Sequence, residues 1–253
     1  MKNLAFFKRA AAIVLFAAVG FAPKAWATEH VWNGDGSLLT TIAKNDVVTI
    51  EQGATGTLIV PPNVTITIDG EVAEGNPITI FISAKSQVDW EATYSSSATE
   101  ISLVTITGEG SFEVAGGSVS ATGKGSTAIT ATGNNSVTVS AGMVTAAGNN
   151  GYAINVQNGN VTIEGGVINA AGYPGMAIYA GGEIAIEGGV VMAQNAAFID
   201  EAGVLNKMPV GDVSGMIMRQ DPKSGVTVIA TTTEGAEVPA TATGGSVQME
   251  FLR

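Results

Sequence analysis

Between Gly116 and Ala193 the chain repeats itself, and a repeat this short restricts the possible folds more than any other feature of the sequence. Gly117-Ser118-Val119-Ser120-Ala121-Thr122-Gly123 is followed by Ala128-Ile129. Gly142-Met143-Val144-Thr145-Ala146-Ala147-Gly148 is followed by Ala153-Ile154, and Gly166-Val167-Ile168-Asn169-Ala170-Ala171-Gly172 by Ala177-Ile178. A fourth copy opens as Gly189-Val190-Val191-Met192-Ala193. Ile129, Ile154 and Ile178 are spaced by 25 and then 24 residues. A period of that length marks a stacked repeat architecture.

Apolar residues alternate inside each unit. Val137 and Val139 flank Thr138, Val161 and Ile163 flank Thr162, and Ile184 and Ile186 flank Ala185. Period-two patterning with β-branched residues predicts short strands with one buried face. Gly116-Gly117, Gly165-Gly166 and Gly188-Gly189 fall between strands, where a sharp corner needs residues without a Cβ. Two or three short strands cannot bury an apolar face alone, so each unit needs neighbours above and below it. The expected fold is all-β: a parallel β-helix, right-handed because parallel crossovers nearly always are.

The phrases Val104-Thr105-Ile106-Thr107-Gly108-Glu109-Gly110-Ser111-Phe112-Glu113-Val114 and Val161-Thr162-Ile163-Glu164-Gly165-Gly166, with the recurring Gly-Gly-x-Val-x-Ala-x-Gly, resemble the glycine-rich repeats of bacterial surface and adhesin-like proteins. They are also similar to the β-helical carbohydrate-binding domains of secreted bacterial proteins. The likeness covers about Val104 to Ala193 and implies a surface-exposed, glycan-binding solenoid. In the carbohydrate-binding family it also implies calcium held by aspartates near the Gly-Ile corner. Here the matching corners read Gly123-Lys124-Gly125, Gly148-Asn149-Asn150-Gly151 and Gly172-Tyr173-Pro174-Gly175, without an acidic residue.

Residues 1–27 read as a secretory signal: Lys2, Lys8 and Arg9, an apolar run from Ala10 to Ala22, then Ala25-Trp26-Ala27 as a cleavage site. The mature chain is expected to begin at Thr28, secreted or at the cell surface and without a membrane span. Leader removal takes Lys2, Lys8, Arg9 and Lys24 from the eleven basic residues and leaves seven against 22 acidic ones, a net charge of −15. So acidic a chain is a poor partner for nucleic acid or other polyanions. It has no cysteine, so no disulfide can staple it.

The rest of the chain divides around the repeat. Residues 28–103 are expected to hold an N-terminal cap and irregular coils, residues 104–193 the regular coils, and residues 194–253 a C-terminal cap or further coils. Within the first part, Ser37 is a candidate N-cap for a short turn of helix whose Leu38, Leu39 and Ile42 would cover the open end of the core. Val226-Thr227-Val228-Ile229 and Val247-Gln248-Met249-Glu250-Phe251 read as closing strands.

Candidate functional residues are sparse. Trp90 and Tyr94 share one alternation phase with Val88 and Ala92, either as a sugar-stacking platform or as core. Tyr152 and Tyr173, at coil corners, are the better placed for glycan. Glu164 and Glu187 each follow an inward isoleucine and are candidates for a cation site, because like charges one coil apart favour a bound cation or a raised pKa. The asparagines Asn134, Asn135, Asn149, Asn150, Asn158 and Asn160 read as turn residues tolerant of left-handed backbone. Thr65-x-Thr67 and Thr105-x-Thr107 raise an ice-binding face, but charges at the same spacing in later coils would spoil it. A glycoside hydrolase needs two opposed carboxylates, and a lyase a cationic base. The mature chain offers one histidine, His30, and the arginines Arg219 and Arg253 near its end. The expected protein is therefore a non-enzymatic, adhesin-like solenoid without a cofactor, binding glycan weakly along its coils. A spacer without ligand and a polysaccharide lyase or hydrolase are the alternatives.

Overall fold

The computed structural model describes residues 27–193 and the strands Ala196–Ile199, Gly215–Asp221 and Gly225–Thr231. Residues 1–26 of the expected signal and the expected strand Val247–Phe251 lie outside the described residues. Three sheets, of eight, eight and seven strands, run the length of the stack. The chain visits them in a fixed order. Gln87–Trp90 lies in the first sheet, Thr93–Ser96 in the second and Ser102–Gly108 in the third, before Ser111–Val114 returns to the first. The fold is thus a β-solenoid with three strands per coil. All pairings except that between the last two strands are parallel.

Register follows the repeat. Val114 pairs with Val139, Val139 with Ile163, and Ile163 with Ile186 in the first sheet. Ile106 pairs with Ala131 in the third, and Ala121 with Ala146 in the second. Identical phases therefore stack, and the inward residues form continuous columns that merge into one apolar core from Trp32 to Ala193. The regularity extends below residue 104. Ile68 pairs with Trp90 and Trp90 with Val114, so the coils from Thr65 upward share the same backbone plan despite their divergent sequence. Corner length varies there while strand phase does not.

Three expectations change at the level of local structure. Val88, Trp90, Ala92 and Tyr94 do not lie on one strand: Glu91 and Ala92 form a corner, with Trp90 ending one sheet and Tyr94 in the next. All four point inward because the corner preserves the phase. The N-terminal helical turn is a single 3₁₀ turn, Gly36–Leu38, and its cap is Asp35, whose carboxylate accepts the Ser37 N–H at 3.0 Å. Leu38 is 77% exposed and covers nothing. Ile42 is buried in the core and Leu39 packs against it, as expected, and Trp32 helps to close that end, fully buried with its indole N–H donating to the carbonyls of Gly34 and Thr55.

The two threonine pairs sit on different sheets. Thr65 and Thr67 face outward on the first, where the row above Thr67 reads Asp89, Glu113 and Thr138. Thr105 belongs to a third-sheet row of Thr79, Thr105 and Thr130, and Phe81, 40% exposed, pairs with Thr107. Neither row is a continuous rank of paired hydroxyls. At the far end Gly215–Asp221 stacks in parallel on Val190–Ala193, and Gly225–Thr231, containing the expected Val226–Ile229 strand, returns antiparallel to it.

The corners between the first and second sheets require glycine. Gly117, Gly142, Gly166 and Gly189 all have φ between +56° and +76°. A Cβ on Gly142 would stand 2.6 Å from the carbonyl oxygens of Gly116 and Gly117 in the coil below, and backbone cannot yield there as a side chain can. Gly142→Ala is therefore expected to destabilise the protein by about 2 kcal/mol or more. Gly34→Ala, where nothing lies within 4 Å, is expected to cost less than about 1 kcal/mol. Paired denaturant titrations measure the contrast.

Candidate functional site

The corner between the third and first sheets opens into a groove of ≈510 Å³ that runs along the solenoid axis. Five successive coils line it, through Thr65, then Lys85 to Gln87, Glu109 to Ser111, Asn134 to Ser136, and Asn158 to Asn160. At a parallel strand spacing of about 4.8 Å, the groove extends for roughly 19 Å. Each coil presents an amide, hydroxyl or charged group to the groove because the strands that flank the corner stack in register.

Local structure explains who faces the groove and who supports it. Ser86 is buried, its hydroxyl donating to the Pro61 carbonyl at 2.6 Å and accepting the Val64 N–H at 3.1 Å. Asn135, two coils on, is fully buried and donates its amide to the carbonyls of Gly110 and Thr107 at 3.0 and 3.4 Å. These two tie their corners to the coil beneath. Gly159 lies directly over Asn135, and a Cβ there would meet the Asn135 carbonyl oxygen at 1.8 Å, which keeps the corner close to its neighbour.

Other groups remain available. Lys85, Glu109, Asn134 and Ser136 are exposed, and their side chains make no hydrogen bond among the described residues. Gln87 donates to Asp89 at 2.6 Å and to Glu113 at 3.1 Å, while the Ser140 hydroxyl donates to the other oxygen of Glu113. One wall of the groove is thereby held in place by a polar network. With one ammonium and one carboxylate among its lining residues, the groove is close to neutral on an otherwise acidic protein.

The residues singled out in the sequence lie elsewhere. Trp90 and Tyr94 are fully buried and pack edge to face, with ring centroids 6.0 Å apart. Trp90 donates to the Ala92 carbonyl at 2.8 Å, and Tyr94 to the Asn76 carbonyl at 2.7 Å. They are core, not a sugar platform, because an aromatic with no exposed face cannot stack on a ligand. Tyr173 is 48% exposed at the corner between the second and third sheets, a different edge of the solenoid from the groove. Tyr152 opens a third-sheet strand, half-buried, with its phenol pushed up by desolvation and by the nearby Tyr179.

Glu164 and Glu187 are brought together as expected. Each follows one of the paired residues Ile163 and Ile186, so they stand one coil apart, both exposed. Among the described residues no three His, Cys, Asp or Glu side chains gather into a metal-binding group. The groove was missed because its asparagines read as turn formers. Asn134 and Asn158 do sit at bends, and Asn150 has a left-handed backbone (φ +60°), but Asn134, Asn135, Asn158 and Asn160 also line the groove. The available signal was their recurrence at coil spacing, Asn134 to Asn158 and Asn135 to Asn160 being 24 and 25 residues apart.

Burial pushes the Tyr94 phenol up to about 12. A phenol whose folded pKa exceeds its unfolded value of about 10 stabilises the fold below that value, and the contribution is lost as pH rises towards the folded pKa. Wild-type stability is expected to fall between about pH 10 and about pH 12, and Tyr94→Phe is expected to flatten that decline. Denaturant midpoints across the range measure both.

No family model, curated protein or solved structure matches this chain.

Proposed function

We propose that the protein is an exported, non-enzymatic β-solenoid, an adhesin-like surface or extracellular module that binds a glycan chain along the groove between its third and first sheets. The observation that carries this reading is the groove itself: an elongated, nearly neutral channel in which stacked coils repeat amides and hydroxyls along one axis. Hydroxyl-rich chains are matched by such donor and acceptor rows, and contacts that are weak singly accumulate when several coils engage one chain. An uncharged or weakly charged glycan fits best, since the protein's acidity opposes a polyanion.

The groove chemistry favours binding over turnover. Among the described residues Glu109 is the one carboxylate that lines it, and the opposed pair that glycoside hydrolysis requires is not supplied by its other described lining residues. Export rests on the leader-like residues 1–27.

The test is retention of residues 28–253 on a glycan and polysaccharide array, with and without calcium. Retention is expected without calcium, and Asn134→Ala combined with Asn158→Ala is expected to weaken it about tenfold, as loss of one or two hydrogen bonds would. Tyr173→Ala is expected to leave it unchanged. A blank array would support the spacer reading. Release of shortened or unsaturated sugars would support an enzyme. Loss of retention with Tyr173→Ala alone would move the site to the other corner.

A further inference from the structure

Near the start of the described residues a hydrogen bond joins Thr28 to a buried carboxylate. The Thr28 backbone nitrogen lies 2.9 Å from Asp46 Oδ1, and Asp46 is only 2% exposed. Its other oxygen accepts the Ala43 N–H at 2.8 Å and faces His30 Nε2 at 2.8 Å. Both partners are fixed in place. The Thr28 carbonyl accepts the Val47 N–H at 3.0 Å, and the Asp46 carbonyl accepts the Thr67 N–H at 3.0 Å from the coil above.

Burial pushes the Asp46 carboxyl up, but the hydrogen bonds from Thr28, His30 and Ala43 outweigh it and hold the group below the usual carboxylate range. A carboxylate kept ionised out of water calls for positive charge beside it. Among the described residues the only cationic side chain within reach is His30, an imidazole that is charged only when protonated. The sequence offers a second source. The nitrogen on Asp46 Oδ1 is that of the residue immediately after Ala25-Trp26-Ala27, the expected cleavage motif.

We propose that Asp46 is a receptor for the α-ammonium of Thr28, so that removal of the leader after Ala27 turns an amide hydrogen bond into an ion pair on a buried carboxylate, which locks the N-terminal coil. The inference rests on the leader reading. In the cleavage step water adds across the Ala27–Thr28 peptide bond: hydroxyl goes to the Ala27 carbonyl carbon, and hydrogen to the Thr28 nitrogen. The new amine takes up a proton at neutral pH. The nitrogen keeps its place 2.9 Å from Asp46 Oδ1 and exchanges one neutral donor for a charged group with three.

Three forms of the chain test this: one beginning at Thr28 with a free amine, the same chain enzymatically N-acetylated, and one retaining Ala27. Each is made with Asp46 and with Asp46→Asn. At pH 7 the free-amine form is expected to have an unfolding equilibrium constant about tenfold smaller than either of the others, and the difference is expected to shrink below about twofold with Asp46→Asn. In the wild-type chain, ¹⁵N-detected titration is expected to place the Thr28 amine above the usual range of about 7.7 to 8.0. That readout survives if Asp46→Asn does not fold. Equal stability of the three wild-type forms, or an amine that titrates in the usual range, overturns the ion pair. The mass of the protein recovered after export reports separately on the leader: a chain starting at Thr28 supports cleavage after Ala27, and any other start overturns it.

Discussion

Everything in this molecule depends on one coil hydrogen-bonding to the next in exact register. No coil has a second layer of its own, and its inward residues are sheltered only because identical phases stack above and below. The columns Val114, Val139, Ile163, Ile186 and Ala121, Ala146, Ala170, Ala193 show how little variation this permits. A slip of one residue would turn each such column out to solvent. Corners, by contrast, are free to differ in length and chemistry provided that they restore the phase.

That division of labour places the groove at a corner. Between the first and second sheets the backbones pass so closely that glycine occupies four stacked positions. Between the third and first sheets buried Ser86 and Asn135 fasten the corner from inside while their neighbours face the groove. The same residue type serves both ends: Asn135 is a structural clasp and Asn134, next to it in the chain, is available to a ligand. Among the described residues the N-terminal coil has no neighbour below, and Trp32, Ile42 and the buried carboxylate of Asp46 lie at that end.

Much of the architecture was legible because the solenoid writes its geometry into a period. The Ile129, Ile154 and Ile178 spacing gave the coil length, and the Gly-Gly pairs marked corners that the structure confirms. Alternation alone could not reveal that Val88 to Tyr94 crosses a corner, since an inward phase continues through Ala92. Nor could it tell Thr65-x-Thr67 from Thr105-x-Thr107, because strands of different sheets share the same pattern. The groove was the least legible feature. It is made by residues about 24 positions apart whose local sequences spell only turns, and it becomes a surface solely through stacking.

Register between coils can be measured directly, because the chain has no cysteine to interfere. Thr138 and Thr162 are paired across adjacent coils, and Ala185 pairs with Thr162 one coil further on. A disulfide spans Cα atoms about 4.4 to 6.8 Å apart, which one strand spacing satisfies and two do not. Thr138→Cys with Thr162→Cys should therefore oxidise to an intramolecular disulfide in the folded protein, while Thr138→Cys with Ala185→Cys should remain two free thiols. Failure of the first pair to close, or closure of the second under the same conditions, would contradict the stacking on which the rest of the account stands.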